Sequence, residues 1–224
     1  VDNDKQGDCS RGLNRRTSDG DGIDRIMTDR HPDMSHLIHK TDYEGLDIIT
    51  ANLGLLTANM EVTMDRVRPQ QNRLKKALQQ VADQYDFCVV DNAPDINISV
   101  INALTAANDV LIPVEVDDNT LEGMNELSTD PGSEGRTESG PAERPLLCEQ
   151  VPEREPAHIQ GAEIIREQYP AMDTTIRFSG VVARSTFMRM PVALHSSRSA
   201  AAEDYEALVT EYLNMIGGVQ DGEI

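Results

Sequence analysis

The chain has 224 residues, enough for one domain with a substantial buried core. Its 39 Asp and Glu against 20 Lys and Arg give a formal net charge of −19, so the chain as a whole repels nucleic acid and anionic membranes. Any polyanion must therefore meet a local basic patch. Three widely spaced cysteines without a CxxC pair exclude a disulfide framework and a zinc cluster, and they indicate a reducing, cytoplasmic compartment.

The predicted elements alternate between strands and helices along the chain. A strand ends at Asp4, and further strands are predicted at residues 35–39, 46–50, 85–91, 109–117 and 174–178. Helices are predicted at residues 19–30, 55–66, 69–85, 98–107, 159–165 and 200–216. Because the strands at 85–91 and 109–117 are apolar in their centres, the pattern predicts an α/β fold with a doubly wound, mostly parallel sheet and helices on both faces.

Residues 128–156 interrupt this alternation. The stretch contains five of the eleven prolines, three glycines and seven acidic residues, so we expect it to build no buried layer. Two explanations remain open, a surface insertion without fixed structure and a local frameshift in the coding DNA. Apart from this stretch, the composition predicts a single domain over residues 1–224.

Three carboxylates follow predicted strand ends. Asp2 and Asp4 lie two residues apart and so point to the same side of a strand, and Asp91 ends the apolar strand at 85–91. Ligands of open parallel sheets bind at the carboxyl ends of the strands. Mg²⁺ takes one or two carboxylates there and keeps several waters. The alternative for Asp91 is a helix-capping role in the turn that follows the strand.

Several segments together resemble the ParA family of deviant-Walker partition ATPases, relatives of MinD in the MinD/ParA superfamily. These segments are VDNDKQG at the start, LDIITANLGL (46–55), YDFCVVDNAPD (85–95), INALTAANDVLIPVEVD (101–117), LEGMNEL (121–127) and the C-terminal stretch 185–213. The resemblance covers about four fifths of the chain. It implies a P-loop NTPase-like fold, an AAA domain in the wider classification, and an ATPase family whose complete members use ATP and Mg²⁺.

The resemblance also implies roles for single residues. Asp4 corresponds to the catalytic carboxylate that orients the attacking water, and Asp2 supports the cofactor and metal environment. Asp91 corresponds to the Walker B aspartate, which holds the water shell of Mg²⁺. Arg177 and Phe178 fall where the family contacts the adenine, although the family has Pro-Arg there.

The phosphate-binding loop of the family is absent from these 224 residues, because no GxxxxGK[ST] pattern occurs in them. That loop supplies the backbone N–H nest and the lysine that hold the phosphates. We therefore expect an N-terminally truncated domain without the first strand, loop and helix, and we expect this chain neither to bind ATP tightly nor to hydrolyse it.

A local excess of positive charge lies near the C-terminus. Between Asp173 and Arg198, four arginines stand against one acidic residue, namely Arg177, Arg184, Arg189 and Arg198. Arginines of this kind bind DNA phosphates without sequence preference, as the resemblance also implies. The alternative is a set of surface arginines paired with nearby acids.

The sequence therefore predicts a partition protein acting in chromosome or plasmid segregation. The resemblance implies a homodimer when complete, non-specific DNA, a ParB-like centromere-binding protein as partner, and a cytoplasmic, nucleoid-associated location. Two alternatives are a non-catalytic interaction protein and a MinD-like positioning ATPase. The second is disfavoured because the C-terminal LNMIGGVQDGEI lacks a basic amphipathic helix, so no membrane partner is expected.

Overall fold

The computed structural model describes residues 1–16, 21–116, 145–152 and 155–217. The described residues fall into two compact units, one up to Asn108 and one from Asp109 onward. The single domain expected from composition stays a prediction. None of the helices in the described ranges is long and apolar enough to cross a membrane.

The first unit contains four short strands and six α-helices among its described residues. Its strands are β1 (Asp2–Asn3), β2 (Ile38–Lys40), β3 (Asp47–Ile49) and β4 (Asp91–Asn92). Its helices are α1 (Asp8–Gly12), α2 (Ile23–Thr28), α3 (Met34–Leu37), α4 (Gly54–Met64), α5 (Arg73–Leu78) and α6 (Ile98–Ala106), with a 3₁₀ turn at Ala82–Gln84. β1 pairs in parallel with β4, and β2 pairs antiparallel with β3.

The core of the first unit forms where α2, α4 and α5 pack together. Ile23, Ile26 and Met27 of α2 are buried at helical spacing, and they meet Leu55 of α4 and Leu74 of α5 in one apolar cluster. Burial of this one face explains why short helices of modest propensity are stable here.

The second unit contains a parallel strand pair and four helices among its described residues. Its elements are β5 (Ile112–Glu115), β6 (Leu146–Glu149), α7 (Pro156–Gln168), α8 (Gly180–Phe187), α9 (Val192–His195) and α10 (Ala200–Met215). β5 and β6 pair from Ile112–Leu146 to Glu115–Glu149. One apolar cluster contains Cys148 and Ile165, and another contains Leu147 and Met172.

The expectation that residues 128–156 build no buried layer is wrong for the part that is described. Leu146, Leu147 and Cys148 are buried in β6, because three apolar residues in a row suffice for a short strand with both faces covered. Residues 128–144 and 153–154 lie outside the described residues, and the insertion and frameshift hypotheses stay predictions.

Three of the predicted strands differ from the structure, and the one predicted at 85–91 is reduced to β4. At residues 35–39 a helix forms first, because Asp33 accepts hydrogen bonds from the backbone N and Oγ of Ser35 and caps α3. At 174–178 the chain runs parallel to the end of β6: Arg177 forms an isolated bridge with Val151, and the amides of Ile176 and Phe178 donate to the carbonyls of Cys148 and Val151. The amides of Thr174 and Arg177 donate instead to the carboxylates of Glu211 and Asp204.

The α/β class predicted from the alternation of strands and helices is confirmed. Two of the three strand pairs in the described residues are parallel, while β2 and β3 pair antiparallel. The carboxyl ends of β1 and β4 therefore lie at the same edge, which brings the predicted acidic residues together.

Candidate functional site

The ends of β1 and β4 carry the predicted acidic residues. Asp2 lies opposite Asp91 and Asn3 opposite Asn92 in the parallel register. The Asp91 amide donates to the carbonyl of Val1 over 2.9 Å. Asp4 follows directly after β1, so the three carboxylates approach the same edge of the strand pair.

Asp2 is fully buried and its carboxylate is occupied by hydrogen bonds. Its Oδ2 accepts from the backbone N of Ser10 over 2.8 Å and from the Ser10 hydroxyl over 2.6 Å, and its Oδ1 accepts from the Asp4 amide over 3.2 Å. The Ser10 hydroxyl in turn accepts from the Ala51 amide over 3.0 Å. Asp2 thus ties α1 to β1 and to the segment after β3.

The sequence predicts a magnesium site for the carboxylates at these strand ends. Within the four described ranges, no group of three His, Cys, Asp or Glu side chains is placed to hold a metal ion. For Asp2 the reason is that both carboxylate oxygens accept hydrogen bonds from groups of the protein. The metal and cofactor roles of Asp2 and the metal role of Asp91 stay predictions.

Asp91 is exposed as a residue, but its carboxyl group is partly withdrawn from water. This burial raises the pKa of Asp91, and the negative charge of Asp2 raises it further, while the N-terminal ammonium of Val1 lowers it. The same acidic surroundings act on Cys9, whose thiol pKa is raised first by burial and then by Asp2 and Asp91. The strand ends therefore form a region of negative potential.

Asp4 lies in a tight turn that leads into α1. Its Oδ1 accepts a hydrogen bond from the Gln6 amide over 2.9 Å, and its carbonyl accepts one from Gly7 over 2.9 Å. Gly7 has φ of 66°, and a Cβ there would lie 2.6 Å from the carbonyl oxygen of Ala51. The turn requires glycine on both grounds. The catalytic role of Asp4 stays a prediction.

A groove of about 390 Å³ lies beside the strand ends, next to α4 and the start of α6. Leu55, Leu56 and Met60 line its apolar side, and Asn3 and Lys5 line the side toward β1. The Lys5 ammonium lies 3.3 Å from the Asp95 carboxylate.

These residues do not fit the triphosphate of ATP. Phosphates bind to clustered backbone N–H groups and to cationic side chains. At these strand ends Asp4, Asp91 and Asp95 contribute negative charge, and Lys5 is paired with Asp95. These carboxylates therefore favour the binding of a cation over the binding of an anion.

Arg177 and Phe178 lie in the second unit. The Arg177 guanidinium binds Asp204 through Nη2–Oδ1 at 2.7 Å and Nε–Oδ2 at 2.9 Å, and Nη2 also donates to the Ala200 carbonyl over 3.2 Å. Phe178 is 65% exposed. The structure gives Arg177 a packing role against α10 that the sequence did not indicate, and the cofactor roles of both residues stay predictions.

The other predicted DNA-binding arginines lie on or beside α8 and before α10. Arg184, Arg189 and Arg198 are all exposed. Among their neighbours, Phe187, Met188 and Leu194 are exposed apolar side chains. The Arg177 side chain is 33% exposed and bound to Asp204, and the DNA-binding role of all four arginines stays a prediction.

Sequence reasoning missed Ser10, Asp204 and Glu211. Ser10 is eight residues from Asp2, and Asp204 is 27 residues from Arg177, so no periodicity connects either pair. For Asp204 and Glu211, the sequence indicated only that both lie on the helix predicted at 200–216, and it did not indicate which groups they bind.

Comparison with known proteins relates the whole described part of the first unit to one family. The profile of the AAA domain family AAA_31 matches residues 1–130. Over 128 residues the chain is 36% identical to the sporulation initiation inhibitor protein Soj of Bacillus subtilis, and this stretch covers 57% of the chain and 49% of Soj. The chromosome partitioning protein ParA of Myxococcus xanthus is 32% identical over 130 residues, covering 57% of the chain and 44% of ParA. The chain spans about half the length of these curated relatives.

The fold is similar to that of a solved plasmid partition protein from Borrelia burgdorferi, described as bound to AMPPNP. The TM-score is 0.75 at 18% sequence identity, with 96% of this chain and 85% of that chain covered. At this identity the likeness concerns the fold alone.

Proposed function

The chain belongs to the AAA domain family AAA_31 and is a ParA/Soj-type member of the MinD/ParA superfamily, and from this premise we propose that it acts in DNA segregation as a partition protein. The observation that supports this most directly is the parallel pairing of β1 with β4, which puts Asp2 opposite Asp91 and Asp4 beside them. In this proposal the complete protein dimerises with ATP and Mg²⁺, binds nucleoid DNA in the cytoplasm and responds to a ParB-like centromere-binding partner.

For this chain as it stands, the proposal includes loss of ATP hydrolysis. The support is the acidic character of the strand ends, the pairing of Lys5 with Asp95, and the absence of GxxxxGK[ST] from the 224 residues. Isothermal titration with Mg²⁺·ATP should give no binding isotherm at micromolar concentrations. Micromolar affinity would overturn this part of the proposal.

The DNA-binding part of the proposal depends on Arg184, Arg189 and Arg198. Their exposure and the local positive charge support contacts to phosphate, which weaken as salt concentration rises. In a gel-shift titration with mixed-sequence duplex DNA, Arg189→Glu combined with Arg198→Glu should abolish the shift. Arg66→Glu, at an exposed arginine of the first unit, is the matched control and should weaken it much less. An unchanged shift in the double variant would overturn the basic-patch assignment.

A second candidate is a non-catalytic interaction protein of the same family. The occupied carboxylate of Asp2 favours it, because that group already has a structural task. A pull-down with the ParB-like protein from the same genome separates the candidates. Nucleotide-independent capture supports the interaction protein, and capture only with Mg²⁺·ATP supports the complete ATPase cycle.

A further inference from the structure

Residues 174–202 of the second unit combine positive charge with exposed apolar side chains. The segment contains four arginines and no Asp or Glu, in a chain whose formal net charge is −19. Arg177 is bound to Asp204. Arg184 and Arg198 are exposed, and neither forms an ion pair with a carboxylate of the described residues. The charge of these two arginines is therefore available to an anionic partner.

Two exposed apolar side chains lie at the end of α8. Phe187 is 88% exposed, and Met188, which follows it, is 60% exposed. The Met188 amide donates to the Arg184 carbonyl over 2.9 Å. The next amide, that of Arg189, donates to the Thr186 carbonyl over 3.1 Å. These hydrogen bonds hold the backbone of the two apolar residues in an ordered turn at the surface of the unit.

Positive charge lies next to these apolar side chains. Arg184 and Phe187 are three residues apart in α8, so their Cβ atoms are about 5–6 Å apart on one face of the helix. α9 packs against α8 and adds the exposed side chain of Leu194. Exposed apolar side chains that are grouped in this way mark interaction sites. The neighbouring arginine indicates that the partner is anionic.

Duplex DNA offers contacts to both kinds of side chain. Arginines bind its phosphates, and proteins that bend DNA insert Phe, Met or Leu between base steps. An anionic membrane also attracts both kinds, but it is an extended plane, and it would bring many of the 39 acidic residues close to its own negative charge. In addition, α8 and α9 have eight and four residues, whereas many interfacial helices have about 20–30. The narrower duplex is therefore the better fit.

We propose that Phe187 and Met188 insert as an apolar wedge between neighbouring base pairs of duplex DNA, while Arg184 binds an adjacent phosphate. This inference rests on the DNA-binding part of the proposed function and goes beyond it, because phosphate contacts alone require no unstacking of bases. A wedge of this kind unstacks a base step and kinks the duplex by about 20–90°. Flexible pyrimidine–purine steps such as TA yield most readily, so the wedge should enter there first.

Fluorescence of 2-aminopurine tests the wedge, because this adenine analogue brightens when its base is unstacked. The probe is a short duplex with 2-aminopurine in its TA steps and a dye at each end. Titration with the unmodified chain should raise the fluorescence, and energy transfer between the dyes should increase as the duplex bends. Phe187→Ala should lose most of both signals. Phe187→Leu keeps an apolar wedge and should retain them.

The salt dependence of DNA affinity separates the wedge from the arginine. Phe187→Ala removes no charge, so it should weaken binding about tenfold at every salt concentration and leave the slope of log affinity against log salt unchanged. Arg184→Ala removes a phosphate contact and should reduce that slope by about 1. Phe87→Ala, at an exposed phenylalanine of the first unit, is the matched control and should change neither quantity.

The possible results distinguish this inference from the proposed function. DNA binding without a fluorescence rise, or a rise that Phe187→Ala retains, would overturn the wedge and leave DNA binding intact. If the unmodified chain does not bind the duplex, the DNA-binding part of the proposed function fails, and the wedge fails with it. Sedimentation with vesicles that contain phosphatidylglycerol, dependent on Phe187 and without unstacking of the duplex, would also overturn the wedge, because it would assign the surface to a membrane.

Discussion

The hydroxyl of Ser10 donates a 2.6 Å hydrogen bond to Oδ2 of Asp2 while accepting one from the amide of Ala51. One buried carboxylate therefore fixes α1 and the segment after β3 to the strand that leads into Asp4. The position of Asp4, which the family resemblance assigns to catalysis, depends on this contact.

Asp2→Ala should therefore destabilise the fold. It leaves the Ser10 amide and hydroxyl buried without their acceptor, which costs about 3 kcal/mol. Urea denaturation followed by circular dichroism measures the free energy of unfolding. Asp4→Ala, two residues away and less buried, is the control and should cost much less; equal losses would contradict a special structural role for Asp2.

Gly7→Ala should also destabilise the chain. Alanine is strained at φ of 66°, and its Cβ would lie 2.6 Å from the Ala51 carbonyl oxygen, so we expect a loss of about 2 kcal/mol. Gly12→Ala is the control, because a Cβ there meets no atom within 4 Å. The same denaturation experiment compares them, and a Gly7→Ala variant as stable as Gly12→Ala would refute the close approach.

Asp91→Asn should stabilise the folded chain at neutral pH. The pKa of Asp91 is raised in the folded state, so ionisation of the group opposes folding above that pKa. The melting temperature should rise by about 2 °C at pH 7, and the gain should vanish as the pH falls below the ordinary pKa of aspartate, about 3.9. A gain independent of pH would point to a cause other than charge.

Asp204→Ala should destabilise the second unit, because Asp204 is buried and binds both the guanidinium and the backbone amide of Arg177. Removing one partner of a largely buried ion pair costs about 3 kcal/mol. Glu203→Ala is the control, since Glu203 lies 3.9 Å from Arg177 and is exposed. Thermal unfolding of the two variants should differ clearly; similar melting temperatures would argue against a structural role for the Arg177–Asp204 pair.

Salt should raise the stability of the whole chain. The net charge of −19 produces repulsion between surface carboxylates, and salt screens it. The melting temperature should rise between low salt and molar KCl. The same titration at pH 4 should give a smaller rise, because part of the carboxylates are protonated there. An equal rise at both pH values would assign the effect to salt exclusion rather than charge screening.

The sequence determined the helices with a clear apolar face and the α/β class, because periodicity reports which residues of one element are buried. It also located Asp2, Asp4 and Asp91 at strand ends, and the motifs around them indicated the family. Only the tertiary structure decided that Asp2 is held by Ser10, that Arg177 is held by Asp204, and that Glu211 and Asp204 take the amides of a predicted strand. These contacts join residues from 8 to 37 positions apart, a distance over which no local pattern specifies which groups meet. The partners are chosen by how the elements pack, and packing is a property of the folded chain.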